Sequence, residues 1–244
     1  SSDGSLSFIC TKFIKMKIAS LHKAATTLQK RIYLYINDIT KKNVIEFDRI
    51  SSRPPRDRHW FNKLIHADVI VLRHPINRMI SMYYSYGWTH TTVNFTEEEK
   101  QMRAEMQSKT LSDWVVSDRL FISRTIYGRI FDLYDVRNAI QNNEEKPRLV
   151  KYEDMMDNPR KFISLILHKI DKDVLLDRVY EKFKKEFIFN GKDKSDDIVN
   201  NGDMSHIRNL DHQEYLNKFS QKDLERIDNK MSSCIETYNN IEKL

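Results

Sequence analysis

The chain is poor in the residues that break or staple a backbone. Its 244 residues include only five glycines, five prolines and two cysteines. So little glycine and proline argues against long structureless linkers. The two cysteines, Cys10 and Cys234, lie far apart in sequence; two reduced thiols is the simpler reading and a single bridge the other. No stretch of eighteen or more apolar residues occurs, so no membrane span is expected. The start at Ser1 shows no basic-then-apolar leader. These absences fit a cytoplasmic protein, although a Golgi-lumenal or secreted fragment trimmed of its anchor would read the same. One absence bears on chemistry. No glycine lies between Gly4 and Gly87, so the chain has no G-x-x-x-x-G-K-[ST] loop. A turn without those glycines is poorly suited to wrapping a nucleoside triphosphate, but it can cradle one terminal phosphate or sulfate.

Positive charge is in modest excess: 41 Lys and Arg against 35 Asp and Glu give a net charge of +6 and a pI near 9.1. That permits nucleic acid, an anionic substrate or an anionic cofactor without choosing among them. The lysines are spread along the chain, as on solvated helix faces. Length and apolar content fit one domain over 1–244 with a core that needs no staples. The lone sequon Asn94-Phe95-Thr96 is of a kind that arises often by chance.

Periodicity predicts strands at Lys15–Leu21, Asn43–Phe47, Val69–Leu72 and Arg148–Tyr152. The third is nearly all branched residues, as a central parallel strand should be. Helices are predicted at Thr26–Asn37 with threonine caps, and at Ile76–Tyr86 with Tyr83 and Tyr84 packed on the sheet. Further helices are predicted at Glu97–Lys109, Leu111–Val116, Leu120–Tyr134, Asn158–Ile170, Val174–Glu186 and Gln221–Tyr238. His59–Ile65 is read as a short helix, Ser51–Arg58 as a loop and Lys192–Asn209 as a polar loop. Strands alternating with helices imply an α/β fold with a central parallel sheet flanked by helices, and a helical insertion over about 88–134.

Two segments carry candidate chemistry. Leu21-His-Lys-Ala-Ala-Thr-Thr-Leu28 joins a strand to a helix. Backbone amides at a helix start point outward and the helix dipole favours an anion there. Lys23 would add a full charge, and Thr26 and Thr27 hydroxyl donors. The plain alternative is an ordinary helix cap. In Asp68–Ser81, a buried strand delivers Arg73 into a His74-Pro75 turn, and the following helix presents Ser81 eight residues on. An arginine at a strand end with a hydroxyl near a helix start suits a phosphate. The alternatives are an Arg73–Asp68 ion pair and a Ser81 hydroxyl buried in its helix.

With two more segments, these resemble sulfotransferases that use 3′-phosphoadenylyl sulfate (PAPS). Lys23-Ala-Ala-Thr-Thr-Leu28 is similar to the family's 5′-phosphosulfate loop, and Arg73-His-Pro-Ile-Asn-Arg-Met-Ile-Ser81-Met-Tyr-Tyr to its 3′-phosphate motif. Lys151-Tyr-Glu-Asp154 with Asn158-Pro159 is similar to its "YEDL…NP" passage, and Ser205-His-Ile-Arg-Asn209 to the C-terminal loop that closes over the 3′-phosphate. The four occur in family order from Leu21 to Asn209. The resemblance implies a P-loop-kinase-like sulfotransferase fold and sulfuryl transfer from PAPS to a hydroxyl, less often an amine. It also implies adenosine 3′,5′-bisphosphate (PAP) as product and no metal. Lys23 would be catalytic. Lys23, Ala24, Ala25, Thr26, Thr27 and Leu28 would bind the 5′ end, and Arg73, Ser81, Ile207, Arg208 and Asn209 the 3′ end. Arg208 has the alternative of a solvated loop residue, and Tyr152 reads as packing at a strand end.

The general base stays open. His59 is favoured for its basic, proline-bounded loop; His22, His66, His206, Glu46 and Asp48 are the others. His66 is expected to pack or cap. The partner implied is a hydroxylated small molecule or glycan, with no nucleic acid and no oligomeric state implied. Trp88, Trp114 and Phe121 would cover an acceptor or form plain core. Two rivals remain: a small-molecule kinase or other nucleotide-binding enzyme on the same fold, and a basic nucleic-acid-binding module. The second would need exposed aromatics among its basic residues, and the basic stretch Arg49–Arg58 has none.

Overall fold

The computed structural model describes residues 15–21, 24–50, 63–90, 92–93, 95–115, 132–142, 146–186, 198–200 and 214–241. Four strands, β1 (Met16–Leu21), β2 (Ile45–Ile50), β3 (Val69–Leu72) and β4 (Arg148–Lys151), form one all-parallel sheet in the order β2-β1-β3-β4. This is an α/β architecture, as the alternating pattern predicts. β3 lies inside the sheet and all four of its residues are fully buried.

The two faces follow the period-2 alternation of a strand. Met16, Ile18, Val69 and Val71 enter one core with Ile32, Tyr33 and Ile36 of α1 (Thr26–Thr40). Ala19, Leu21, Ile70 and Leu72 enter the other with Ile76, Met79 and Ile80 of α2 (Pro75–Tyr84). Beyond α2 the chain widens into a π-helical turn, Ser85–Thr89. Then come α3 (Glu97–Ser108), α4 (Leu111–Val115) and α5 (Asp132–Gln141). After β4 follow α6 (Tyr152–Asp157), α7 (Pro159–Lys169), a 3₁₀ turn at Asp173–Leu175 and α8 (Leu176–Glu186). The described chain ends with α9 (Glu214–Lys218) and α10 (Gln221–Asn240). Helices α7 and α8 share the α1 core through Phe162, Ile163, Ile166, Val179 and Phe183. Trp114, Val136, Ile140, Ile227 and Met231 join α4, α5 and α10 to the α2 core.

Several helix ends have the chemistry their sequences suggest. The Asn158 side chain accepts from the Lys161 N–H with Pro159 at the first helical position, and Ser220 Oγ accepts from the Asp223 N–H. Thr96 and Glu99 form a reciprocal capping box on α3.

Other expectations need correction. The threonines do not cap α1: Ala25 is the N-cap, in the left-handed region at φ 55°, and no side chain caps the helix. β2 starts later and runs longer than Asn43–Phe47, because Asn37 holds both the N–H and the carbonyl of Ile45. The charged Asp48-Arg49 pair then continues the strand, which the exposed side of an edge position tolerates. Tyr152 opens α6 rather than ending β4; Glu153 and Asp154 in its first turn suit the helix dipole.

Tyr83 and Tyr84 are buried in the core that the sheet shares with α2, and Tyr83 also joins an aromatic cluster. Its ring lies against Tyr84, Trp88 and Trp114 at 5.1, 5.0 and 5.5 Å, and its hydroxyl donates to the Lys109 carbonyl. The π turn leaves carbonyls unpaired, and α3 supplies their donors: Arg103 to Trp88 and His90, and Gln107 to Gly87. Residues 198–200 are helical within the expected polar loop, with Ile198 buried. Helix α5 begins within the predicted Leu120–Tyr134 helix and runs beyond its expected end to Gln141. The Leu120–Tyr134 helix, Phe121, the Ser51–Arg58 loop and most of His59–Ile65 lie outside the described residues, except for helical residues at 63–65 and 132–134.

Candidate anion-binding site

β1 connects to β2 on one side of itself, and β3 lies on the other side. In parallel α/β sheets that reversal opens a crevice beyond the carboxyl ends of the two central strands, where ligands bind. Here those ends are Leu21 and Leu72. The segment after Leu21 leads into the start of α1, and the residue after Leu72 is Arg73. The topology therefore brings the start of α1 and Arg73 to the same edge of the sheet.

The start of α1 is held from inside. Ser20 is fully buried and Gln29 is 2 % exposed. Gln29 Nε2 donates to Ser20 Oγ at 3.0 Å and to the Ala24 carbonyl at 2.5 Å, and Gln29 Oε1 accepts from the Tyr33 hydroxyl. One amide thus ties the end of β1, the turn and the next helical turn together. Burial pushes the Tyr33 phenol up, so it stays a donor. Ala24 and Thr26 are buried, Ala25 and Leu28 half-buried and Thr27 exposed. His22 and Lys23 lie outside the described residues.

Arg73 is 6 % exposed, with its guanidinium over the Tyr152 ring at 4.5 Å. The expected alternative partner, Asp68, instead accepts from the Lys17 backbone N–H at the opposite end of the sheet. Tyr152 is therefore more than strand-end packing, because it supports the arginine. Ser81 is half-buried about two turns along α2, roughly 10 Å from the Arg73 turn at 1.5 Å per residue. Asn77, fully buried, shares its face of α2 at four-residue spacing.

The turn after Arg73 is fixed by Glu153 of the Lys151–Asp154 motif and by two tyrosines, Tyr215 and Tyr238, that no motif marks. The His74 N–H donates to Glu153 Oε1 at 3.0 Å, and the Tyr238 hydroxyl donates to Glu153 Oε2 at 2.5 Å. The His74 ring stacks on Tyr215 at 4.7 Å and meets the edge of Tyr238 at 5.3 Å. Burial pushes the imidazole down to about 4 against the opposing pull of Glu153. His74 Nδ1 is buried and accepts no hydrogen bond within the described residues. The sequence marks Glu153 only as a member of the Lys151-Tyr-Glu-Asp154 passage, with nothing to show which backbone it holds.

The candidate bases separate by position. Glu46 lies four residues before the end of β2, about 13 Å from the site edge at 3.3 Å per residue. Its hydrogen bond to Lys15 holds its carboxyl below the usual range, which weakens it as a base. Asp48 is ion-paired with Lys63. His66 does not pack; it stands exposed in the turn between helical residues 63–65 and β3, at the far end of that strand from Arg73. Glu46 and His66 thus lie toward the end of the sheet away from Arg73. His59, His206, Ile207, Arg208 and Asn209 lie outside the described residues. Trp114 is core at 3 % exposed, and Trp88 packs against that core. Cys234 is buried in α10, and Cys10 lies outside the described residues.

A second basic surface does mix aromatics with cations. Arg178 and Lys182 lie over Tyr35, and Arg160 and Lys184 over Tyr180. Most of its cations are compensated, however: Asp177 pairs with Arg160, Glu181 with Lys184, and Glu186 with both Lys182 and Arg31, while Arg178 donates to the Tyr35 hydroxyl. The rings are covered by the chain's own cations, which makes them poor stacking platforms for bases. Among the described residues no helix is long and apolar enough to cross a membrane, and no group of three His, Cys, Asp or Glu side chains could hold a metal ion. No protein-family model matches the sequence, and no curated protein matches it. The resemblance rests on the four motifs alone.

Proposed function

We propose that this chain is a PAPS-dependent sulfotransferase acting on a hydroxylated small molecule or glycan. The observation that carries the reading is the meeting of the α1 start and the buried Arg73 at the switch point of a parallel sheet. A helix start and a buried arginine, one on either side of that point, would suit a nucleotide with phosphate at both its 5′ and 3′ positions. Arg73, with Ser81 further along α2, would grip the 3′-phosphate, which ATP lacks. The start of α1 would receive the 5′-phosphosulfate, with Lys23 beside the bridging oxygen. The acceptor oxygen attacks sulfur as the bridging S–O bond breaks. The acceptor proton passes to a base, and the bond's electrons remain on the departing PAP phosphate. A fixed ammonium at that oxygen gains more in the transition state than in the ground state.

The kinase reading lacks its glycine-rich loop, and calorimetry separates the two. Wild type should bind PAP well above ATP and 5′-AMP. Arg73→Ala should weaken PAP by about thirtyfold or more, the cost of losing charge-assisted bonds, with far less effect on 5′-AMP. Equal weakening of both, or a preference for ATP, sinks the proposal. Sulfate transfer from labelled PAPS to acceptor pools then tests the reaction itself.

A further inference from the structure

We propose that Glu153 is a positioning residue that aims Arg73 into the anion site and couples that aim to helix α10. This rests on the 3′-phosphate role proposed for Arg73.

The peptide unit between Arg73 and His74 sets the direction in which the arginine side chain leaves the strand. Glu153 Oε1 takes the N–H of that unit, which fixes ψ of Arg73. On its other side the turn is fixed by Pro75, which confines the preceding His74 to extended backbone; His74 sits at φ −49°, ψ 130°. Two successive residues of the β4–α6 passage therefore hold two parts of one arginine. Tyr152 supports its guanidinium and Glu153 holds its backbone. The second carboxylate oxygen is held by Tyr238, 85 residues away on α10. Lys151, just before them, lies over the Tyr238 ring at 5.2 Å. The His74 ring sits between Tyr238 and Tyr215, so α9 and α10 both bear on the same turn. A carboxylate accepting two bonds from sequence-distant donors is a costly arrangement to leave half made.

The charge of Glu153 makes the test sharp. A negative group near an anion site opposes phosphate binding, so Glu153→Gln would tighten PAP if charge were its only effect. Positioning predicts the reverse, because an amide cannot accept at both atoms. With the full chain, Glu153→Gln should weaken PAP about tenfold while leaving 5′-AMP within about twofold. Tyr238→Phe, which removes one hydroxyl and keeps the ring, should weaken PAP in the same direction by less. Unchanged or tighter PAP binding by Glu153→Gln, or equal weakening of PAP and 5′-AMP, overturns the proposal.

A second readout needs no nucleotide. Hydrogen exchange at the Arg73 Nε–H, assigned by its loss in Arg73→Lys, should speed up in Glu153→Gln while that of Arg78 does not. Should wild type fail to bind PAP, the sulfotransferase reading falls and this readout alone decides. Faster Arg73 exchange then upholds the positioning role, and unchanged exchange rejects it.

Discussion

Gln29 offers the most direct test of how the α1 turn is held. Replacing it with Leu keeps most of its volume and removes three hydrogen bonds, to Ser20 Oγ, the Ala24 carbonyl and the Tyr33 hydroxyl. All of this lies in the buried region between β1 and α1, where Ser20 is fully buried and Tyr33 is 2 % exposed. Each buried polar group left without a partner costs about 1–3 kcal/mol. The Ser20 and Tyr33 hydroxyls can rotate toward other acceptors, whereas the Ala24 carbonyl is fixed by the backbone. The added apolar surface of leucine returns about 1 kcal/mol. The net expectation for Gln29→Leu is a loss of about 3 kcal/mol, read as a lower urea midpoint at unchanged slope. Tyr33→Phe alone should cost about 1 kcal/mol by stranding Gln29 Oε1. In the double variant that acceptor no longer exists, so the combined loss should fall short of the sum by about 1 kcal/mol. A loss under about 1 kcal/mol for Gln29→Leu, or strict additivity of the pair, would refute the network.

Two further predictions concern backbone and protonation. Ala25 holds a left-handed conformation that costs a residue with a Cβ about 1–2 kcal/mol, against about 0.5–1 kcal/mol for the added chain entropy of glycine. Ala25→Gly should therefore raise unfolding stability by up to about 1 kcal/mol, and a lower urea midpoint would contradict the strain. His74 is neutral in the fold and titrates only near 4, against an ordinary imidazole near 6.5. Its depressed folded value means its contribution is full above pH 6.5 and is lost as pH falls toward 4, about 3 kcal/mol across that window. Comparing the unfolding free energies of wild type and His74→Phe at pH 7 and pH 4.5 should show this part of the acid loss only in wild type. Parallel losses would refute it.

Much of the scaffold was legible in the sequence because it follows from short-range rules. The branched run Val69–Leu72 became a fully buried strand, since such a run satisfies both faces of a parallel sheet at once. Asn158-Pro159 and Ser220 opened helices with side-chain acceptors and a preset φ. The missing glycines excluded one whole loop chemistry. The errors came where a distant contact outweighed a local preference. β2 continued through Asp48-Arg49 because β1 offered ladder partners on its edge, and Tyr152 left β4 to open α6, where its ring meets Arg73.

By itself, then, the sequence determined that strands alternate with helices and that Arg73 stands where a buried strand ends. Periodicity and turn chemistry act within a few residues, and a reader can see them in one dimension. Only the tertiary structure decided what holds that arginine. Tyr152 supports its guanidinium, and Glu153, anchored by a tyrosine of the last helix, fixes its backbone. Likewise only folding brings Gln29 onto the carbonyl of Ala24 and beside Ser20. Hydrogen bonds between groups 79 and 85 residues apart leave no periodic trace; the first exists because the sheet order places the ends of β3 and β4 side by side, and the second because the last helix packs over that edge.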